Sequence, residues 1–280
     1  MTSTADAISS VVPSEVLPII SNKKGQYQYY YDSSIETFGF VFIIAVGTGM
    51  SVTDYTTIST DVATTNPVVF VMLDPAPGNP VKLDGAKFAN NANELVLNLS
   101  KYLPNVNLAS NTTIVIGGHS AGGEGAIISF DGLLTFQPVG FLGLDPFSVN
   151  TKTMKIPCPA VLWGFSDTTC LVTVNQAAKA AYKISPPSAR VFFQIKNPQN
   201  VLKPSSNITH CIFTDDGCAS PVCPAQTAGY WVRQAVADSV VPFVESLVSG
   251  EILPKDEFSA AIPDNNQANL TLYYCQENPN

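Results

Sequence analysis

The chain has 280 residues, of which 45% are hydrophobic and only 13% are charged, and its formal net charge at pH 7 is −8. This length and this apolar fraction allow a large core, so we expect one compact domain. The negative charge and the absence of Lys and Arg clusters argue against nucleic acid or an anionic membrane surface as partners. Because no stretch reaches about 18 consecutive apolar residues, the sequence predicts no membrane span.

The chain begins with a predicted N-terminal arm, residues 1–24, and residues 25–280 are expected to form the domain. The arm lacks the basic start and the apolar block of an intact signal peptide. Residues 25–32 carry four tyrosines among polar residues, a pattern that predicts an edge strand.

A continuous apolar run at residues 38–46 predicts a strand covered on both faces, and a helix is predicted to begin near Asp54. The turn at residues 47–50 lies between them. In hydrolases that transfer acyl groups, a loop after an early strand supplies one N–H group to the developing oxyanion. We therefore predict Thr48 as one oxyanion donor.

Residues 67–73 predict the next buried strand, and residues 84–103 carry apolar side chains at helical spacing. Together with the strand that follows, this order of strands and helices calls for a mostly parallel sheet with right-handed connections. The sequence therefore predicts the α/β class and, with the motif described next, an α/β-hydrolase fold whose central sheet is flanked by helices.

That motif follows a strand predicted at residues 113–116, which stops at a glycine-rich turn around a serine. Gly118, Ser120 and Gly122 fill the G-x-S-x-G pattern of a nucleophile elbow, a sharp strand-to-helix turn that exposes the serine oxygen. We predict Ser120 as the nucleophile. The N–H group of Ala121, the residue after it, is the second predicted oxyanion donor.

Two aspartates follow the next two predicted strands. Asp145 comes directly after residues 139–144, and Asp167 comes shortly after residues 160–165. Both therefore lie at the carboxyl ends of strands, the edge at which open α/β sheets bind ligands. On position alone, either aspartate is a candidate for the acid that orients a catalytic base.

A serine hydroxyl needs an adjacent base to take its proton, and the chain has two histidines. His119 directly precedes the nucleophile, and its side chain is expected to point away from it. His210 follows the predicted strand at residues 190–195 and both aspartates, as the chain order Ser, Asp, His requires. We therefore predict His210 as the base.

Between residues 38 and 251 the chain resembles plant chlorophyllases and related lipases. The resemblance rests on residues 118–123, on residues 143–147 and on a late helix within residues 231–251. In that family the elbow reads Gly-His-Ser-x-Gly-Gly, and the acid lies in a segment of Gly, an aliphatic residue, Asp and Pro. The resemblance therefore implies a triad of Ser120, Asp145 and His210.

The elbow is also similar to that of bacterial polyester hydrolases of the cutinase type, in which the acid follows the next strand. That resemblance selects Asp167 as the acid. We favour Asp145, which has the Gly-Leu-Asp-Pro match, and keep Asp167 as the alternative. The loop at residues 46–49 reads Val-Gly-Thr-Gly where chlorophyllases have a His-Gly pair.

The cysteines lack the paired spacing and the histidine supply of a zinc site, so the sequence predicts no metal and three disulfides. The six are Cys158, Cys170, Cys211, Cys218, Cys223 and Cys275. Cys211 is expected to brace the base, and Cys275 is expected to tie the tail to the domain. N-glycosylation sequons begin at Asn98, Asn111, Asn207 and Asn269. Sequons and disulfides together predict a secreted protein whose signal sequence is not part of the chain.

Two classes of function agree with these patterns. The first is a secreted serine carboxylic-ester hydrolase that forms an acyl-enzyme, needs no cofactor, acts as a monomer and takes a small-molecule or polymeric ester. The second is a secreted binding protein that keeps the hydrolase fold without the chemistry. Because the nucleophile and the base are both present, we favour the enzyme.

Overall fold

The computed structural model describes residues 11–15, 17–18, 25–75, 85–166, 174–196, 209–215, 230–252, 254–262, 269–277 and 279. The strands are β1 (Val11–Pro13), β2 (Leu17–Pro18), β3 (Gln26–Asp32), β4 (Phe38–Ala45), β5 (Val68–Asp74), β6 (Leu108–His119), β7 (Gly140–Leu144), β8 (Ala160–Phe165), β9 (Arg190–Ile195) and β10 (Leu270–Tyr274). The α-helices are α1 (Thr56–Thr65), α2 (Gly85–Leu97), α3 (Leu99–Tyr102), α4 (Ser120–Ser129), α5 (Ala178–Ile184), α6 (Tyr230–Ser249) and α7 (Lys255–Ala260). Short 3₁₀ helices span Val52–Tyr55, Val174–Gln176 and His210–Phe213.

Within these residues the strands form one sheet in the order β1-β3-β5-β4-β6-β7-β8-β9-β10, with β2 also beside β3. The central strands from β5 to β9 pair in parallel, whereas β1, β2, β3 and β10 join antiparallel to their neighbours. The predicted α/β class with a mostly parallel sheet is therefore confirmed. The parallel pairing also explains the continuous apolar runs in the central strands, because parallel strands are covered on both faces.

Side chains of the sheet alternate between two cores, as the twofold period of a strand requires. Phe42 and Ile44 of β4 belong to the core under α1 and α6. Val41 and Ile43, which lie between them in sequence, belong to the core under α2, α4 and α5. Both cores consist of buried hydrophobic side chains from several strands and helices, so the central strands provide a rigid support for the loops that follow them.

The predicted edge strand is not at the edge. β3 pairs with β5 on one side and with β1 and β2 on the other, so part of the predicted N-terminal arm belongs to the sheet. Burial explains the tyrosines, because Tyr27, Tyr29 and Tyr30 are each no more than 3% exposed. The polar residues among the tyrosines had predicted an edge strand. In the structure the aromatic rings fill the cores, and their hydroxyls form hydrogen bonds, such as that of Tyr27 to the Tyr102 carbonyl (2.9 Å).

The C-terminal tail is held by main-chain bonding and not by a cystine. Within it, β10 adds antiparallel to β9, a strand that the sequence had not predicted. The Cys275 N–H donates to the Arg190 carbonyl (2.8 Å), and the Cys275 carbonyl accepts from Arg190 Nε (2.8 Å) and from the Tyr182 hydroxyl (2.7 Å). The expectation that the Cys275 thiol ties the tail to the domain is therefore wrong.

The prediction of three disulfides is also wrong, because Cys158 and Cys275 are free thiols. Burial raises the pKa of the Cys158 thiol to about 12, so this side chain is a small apolar group in the core. Cys211, beside the predicted base, is disulfide-bonded. Cys170, Cys218 and Cys223 lie outside the described residues.

The register of the central strands brings the predicted site together. Ala45 of β4 lies opposite Gly118 of β6, and His119 of β6 lies opposite Leu144 of β7. Because these strands are parallel, the loops that follow them leave the sheet at the same edge.

In the described part of the chain, no helix has both the length and the apolar character needed to cross a membrane.

Candidate active site

The predicted nucleophile occupies a strained turn. β6 ends at His119, and α4 begins at Ser120, whose φ angle is +55°. A residue other than glycine costs free energy in this left-handed region, and such outliers concentrate at functional sites. The side chain of Ser120 is half-buried. Its carbonyl accepts a hydrogen bond from the Phe147 N–H (2.9 Å), which links the elbow to the segment after β7.

The two glycines of the G-x-S-x-G pattern allow the chain to make this turn at close quarters. A Cβ atom on Gly118 would lie 2.6 Å from the carbonyl carbon of Gly122. A Cβ atom on Gly122 would lie 2.6 Å from the Ala45 carbonyl oxygen at the end of β4. Both distances are shorter than any ordinary contact of a methyl group. The absent side chains therefore let the start of α4 pack directly against the end of β4.

Asp145 and His210 form a buried pair. Their Oδ2 and Nδ1 atoms are 2.7 Å apart, and the residues are 2% and 4% exposed. Asp145 is held at the end of β7 with a φ of +45°, and its N–H donates to the Trp163 carbonyl of β8 (2.7 Å). Because a carboxylate only accepts hydrogen bonds, the Nδ1 atom of His210 carries a proton, and in a neutral ring Nε2 then presents its lone pair.

The Nε2 atom of His210 is buried and has no hydrogen-bond partner among the described residues. Its ring lies next to the elbow, since the rings of His119 and His210 are 4.5 Å apart between centroids. No hydrogen bond joins Ser120 and His210 within the described residues, and catalytic hydrogen bonds are often long before substrate binds.

Asp167, the alternative acid, lies outside the described residues.

Two main-chain N–H groups remain available near Ser120. Ala121 lies in the first turn of α4, where N–H groups have no partner inside the helix. In the loop after β4, the Gly47 N–H is already bound to the Tyr55 hydroxyl (2.9 Å), whereas the exposed Thr48 makes no N–H hydrogen bond among the described residues. This loop is adjacent to the elbow, because a Cβ atom on Gly47 would lie 3.2 Å from Ser120 Cβ.

His119 and Tyr55 belong to the same cluster, and sequence reasoning missed their contribution. Both are fully buried. His119 Nδ1 lies 2.7 Å from the Tyr55 hydroxyl, and Nε2 lies 2.9 Å from the His210 carbonyl oxygen. A histidine inside the elbow was the available signal for one of them. Tyr55 has no sequence signal, because its contact with His119 spans 64 residues.

The burial of His119 is expected to make the free energy of unfolding depend on pH. Burial, and next the neighbouring His210, hold the pKa of His119 well below its ordinary value of 6.5. The unfolded chain then binds a proton that the folded protein does not, so acid favours unfolding. We expect His119 to lower stability by about 1.4 kcal/mol per pH unit below about pH 6.5, until the folded protein also binds the proton.

The measurement is the free energy of unfolding in urea between pH 7 and pH 5, for the wild type and for His119→Gln. Glutamine does not titrate, so the difference between the two proteins isolates this one proton from the contribution of His210. We expect the wild type to lose the more stability towards acid. Parallel curves would contradict the assignment of a neutral, buried His119.

The segment that carries His210 is fixed to two helices through Asp215. Its carboxylate accepts from the Thr57 N–H near the start of α1 (3.1 and 3.3 Å), and its own N–H donates to the Asp54 carbonyl (2.7 Å). Arg233 of α6 donates to the Thr214 carbonyl (2.9 Å) and lies 3.5 Å from the Asp215 carboxylate. The segment that carries the proposed base His210 is therefore held against helices α1 and α6.

Replacing Asp215 by alanine is expected to lower the free energy of unfolding by about 1 kcal/mol, the usual loss when a side-chain acceptor at a helix start is removed. Asp215→Asn keeps an oxygen that can accept from Thr57 and is the matched control, with a smaller loss expected. Urea denaturation of both variants gives the comparison. Equal losses would mean that the contact with the α1 terminus contributes nothing.

No protein-family model matches the chain, and no curated protein matches it either. Among the described residues, no group of three or more His, Cys, Asp and Glu side chains is placed to hold a metal ion.

Proposed function

We propose that the protein is a secreted serine carboxylic-ester hydrolase with an α/β-hydrolase fold. One observation carries the proposal: the buried 2.7 Å contact of Asp145 with His210 lies beside a serine held at positive φ between a strand and a helix. Three further features support it. The chain order is Ser, Asp, His, the central sheet is parallel, and all three residues follow the carboxyl ends of strands.

In the proposed reaction, the Oγ atom of Ser120 attacks the ester carbonyl carbon while His210 Nε2 takes the hydroxyl proton. The imidazolium that forms is stabilised by the Asp145 carboxylate through the Nδ1 proton. The carbonyl oxygen becomes negative and accepts from the N–H groups of Ala121 and Thr48. Collapse of this tetrahedral intermediate expels the alcohol, which receives the proton from His210, and leaves an acyl group on Ser120.

Water completes the cycle. His210 Nε2 takes a proton from a water molecule as its oxygen attacks the acyl carbon, and the same N–H groups hold the second oxyanion. The proton then returns to Ser120 Oγ as the carboxylic acid leaves. The attack by Ser120 and the attack by water both use the lone pair of Nε2, so the tautomer that Asp145 imposes on His210 is required twice per turnover.

The pairing of His210 with Asp145 supports the chlorophyllase- and lipase-like interpretation, in which the acid lies in the Gly-Leu-Asp-Pro segment. The cutinase-type interpretation places the acid at Asp167. Secretion is supported by the disulfide at Cys211 and by the exposed Asn111, which begins a sequon. The substrate class that we propose is a carboxylic ester, either a small molecule or a polymer.

Labelling with a fluorophosphonate tests the proposal, because this probe reacts with a serine only where a base activates it. We expect one adduct, located at Ser120 by peptide mass spectrometry, and hydrolysis of p-nitrophenyl esters in a series of acyl chain lengths. Denatured protein is the control for non-specific reaction. Native protein that neither labels nor hydrolyses any ester would reject the enzyme and favour the non-catalytic binding protein.

A further inference from the structure

A chain of hydrogen bonds runs from the loop after β4 to the segment that carries the base. It begins at the Gly47 N–H, which donates to the Tyr55 hydroxyl oxygen (2.9 Å). Tyr55 is 2.7 Å from His119 Nδ1, and His119 Nε2 is 2.9 Å from the carbonyl oxygen of His210. All four residues are buried. The mechanism proposed above uses neither Tyr55 nor His119.

The direction of every proton in this chain can be derived. A carbonyl oxygen only accepts, so His119 Nε2 must carry the hydrogen that is shared with His210. Neutral imidazole has one N–H, so Nδ1 accepts, and the Tyr55 hydroxyl must donate to it. That hydroxyl lies 3.1 Å from Met50 Sδ as well, but its single proton is already directed at His119. Burial keeps His119 neutral and raises the pKa of Tyr55, so the order persists at neutral pH.

We propose that Tyr55 and His119 are positioning residues that fix the base relative to the oxyanion donor. The inference rests on the proposed function and adds a structural link to it. One end of this chain of hydrogen bonds is the N–H group of Gly47, the residue before the proposed donor Thr48. The other end is the main chain of His210 itself. A shift of the loop is therefore transmitted to the base through three short hydrogen bonds.

Contacts between aromatic rings also connect Tyr55, His119 and His210. The His119 and His210 rings lie 4.5 Å apart between centroids and are tilted by 34°, and the Tyr55 ring meets the His119 ring edge-on at 5.7 Å. The Asp145 contact fixes His210 at Nδ1, and His119 fixes its carbonyl and one ring face. Small displacements of a reacting group can cost about 10²-fold in rate, so this support is expected to affect kcat.

Three variants test the inference. Tyr55→Phe removes only the hydroxyl, and His119→Phe keeps a ring but removes both nitrogens. His119→Gln carries an amide N–H that can reach the His210 carbonyl, so it is the rescue variant. Tyr30→Phe is the matched control, because Tyr30 is equally buried and its hydroxyl bonds to Gln28 and Thr56, not to His119 or His210.

For hydrolysis of p-nitrophenyl butyrate, we expect kcat to fall about tenfold in Tyr55→Phe and about 10²-fold in His119→Phe, with KM within about twofold of wild type. His119→Gln should recover at least about tenfold over His119→Phe. Tyr30→Phe should keep wild-type kcat even if its melting temperature falls. Because the links act in series, the Tyr55→Phe/His119→Phe double variant should be no slower than His119→Phe alone.

A kcat within about twofold of wild type in folded Tyr55→Phe and His119→Phe would overturn the inference. So would losses that multiply in the double variant, or a loss in Tyr30→Phe that matches its fall in stability. If His119→Phe does not fold, Tyr55→Phe alone decides between the same outcomes.

A readout without turnover separates this inference from the proposed function. The Nδ1 proton of His210 can be followed by proton NMR and identified by its disappearance in Asp145→Asn. We expect this resonance to shift or broaden in His119→Phe and to return in His119→Gln. A wild type that does not react with fluorophosphonate rejects the enzyme, whereas an unchanged resonance in His119→Phe rejects the positioning role.

Discussion

Ser120→Ala is expected to lower kcat for ester hydrolysis by about 10⁶-fold, the loss that follows removal of a nucleophile from a serine hydrolase triad. The remaining rate would come from main-chain donors and substrate binding, which survive the change. Stability should change little, because the Ser120 hydroxyl makes no hydrogen bond among the described residues. Alanine meets the same backbone strain at a φ of +55° as serine does.

Ser148→Ala is the matched control for this experiment. Ser148 is also half-buried and also has a positive φ (+62°), and it lies three residues after Asp145. The same atom is removed in the same kind of backbone conformation, and we expect wild-type kcat. Initial rates on p-nitrophenyl butyrate and thermal melts of both variants provide the comparison. Near-normal turnover by pure Ser120→Ala would reject the triad.

Asp145→Asn is expected to lower kcat by about 10⁴-fold. An asparagine amide of nearly the same shape can donate to His210 Nδ1, which then carries a lone pair and leaves the hydrogen on Nε2. In that tautomer His210 cannot take a proton from Ser120. The imidazolium also loses its carboxylate partner. We would measure kcat at saturating substrate after circular dichroism has shown that the variant keeps its fold.

Asp167→Asn is the natural comparison, because Asp167 is the acid in the cutinase-type alternative. We expect a loss of about tenfold or less, since one carboxylate already occupies the Nδ1 position of His210. The reverse order of defects would transfer the acid role to Asp167 and favour the polyester-hydrolase resemblance over the chlorophyllase one.

Local patterns predicted the elements that support the site. The apolar run at residues 38–46 corresponds to β4, and the predicted strand at residues 190–195 has the observed bounds of β9. The glycine spacing predicted the turn at Ser120, because a close approach of main chain to main chain permits no side chain. Chain order then selected His210 from two histidines, and the structure places it against Asp145.

Features that depend on tertiary contacts were not predicted. Tyr55 joins His119 across 64 positions, and no spacing rule connects them. β10 is a short run in a polar tail, and its partner β9 lies about 80 residues earlier. An even number of cysteines suggested three cystines, yet the Cys158 side chain is packed among apolar groups as a thiol. Pairing of this kind is decided by which segments meet in space.

The short strand β10 covers a margin of the sheet that would otherwise be exposed. Without β10, the margin of the sheet would be β9, a six-residue strand whose side chains are all buried and whose main-chain groups would be left unpaired. Such a margin is a template for strand addition and fibrous aggregation. β10 replaces it with one buried residue, Leu270, and four half-exposed residues that stop at Cys275, where φ is +50°. The tail thus covers the buried strand β9, a role separate from anything that happens at Ser120.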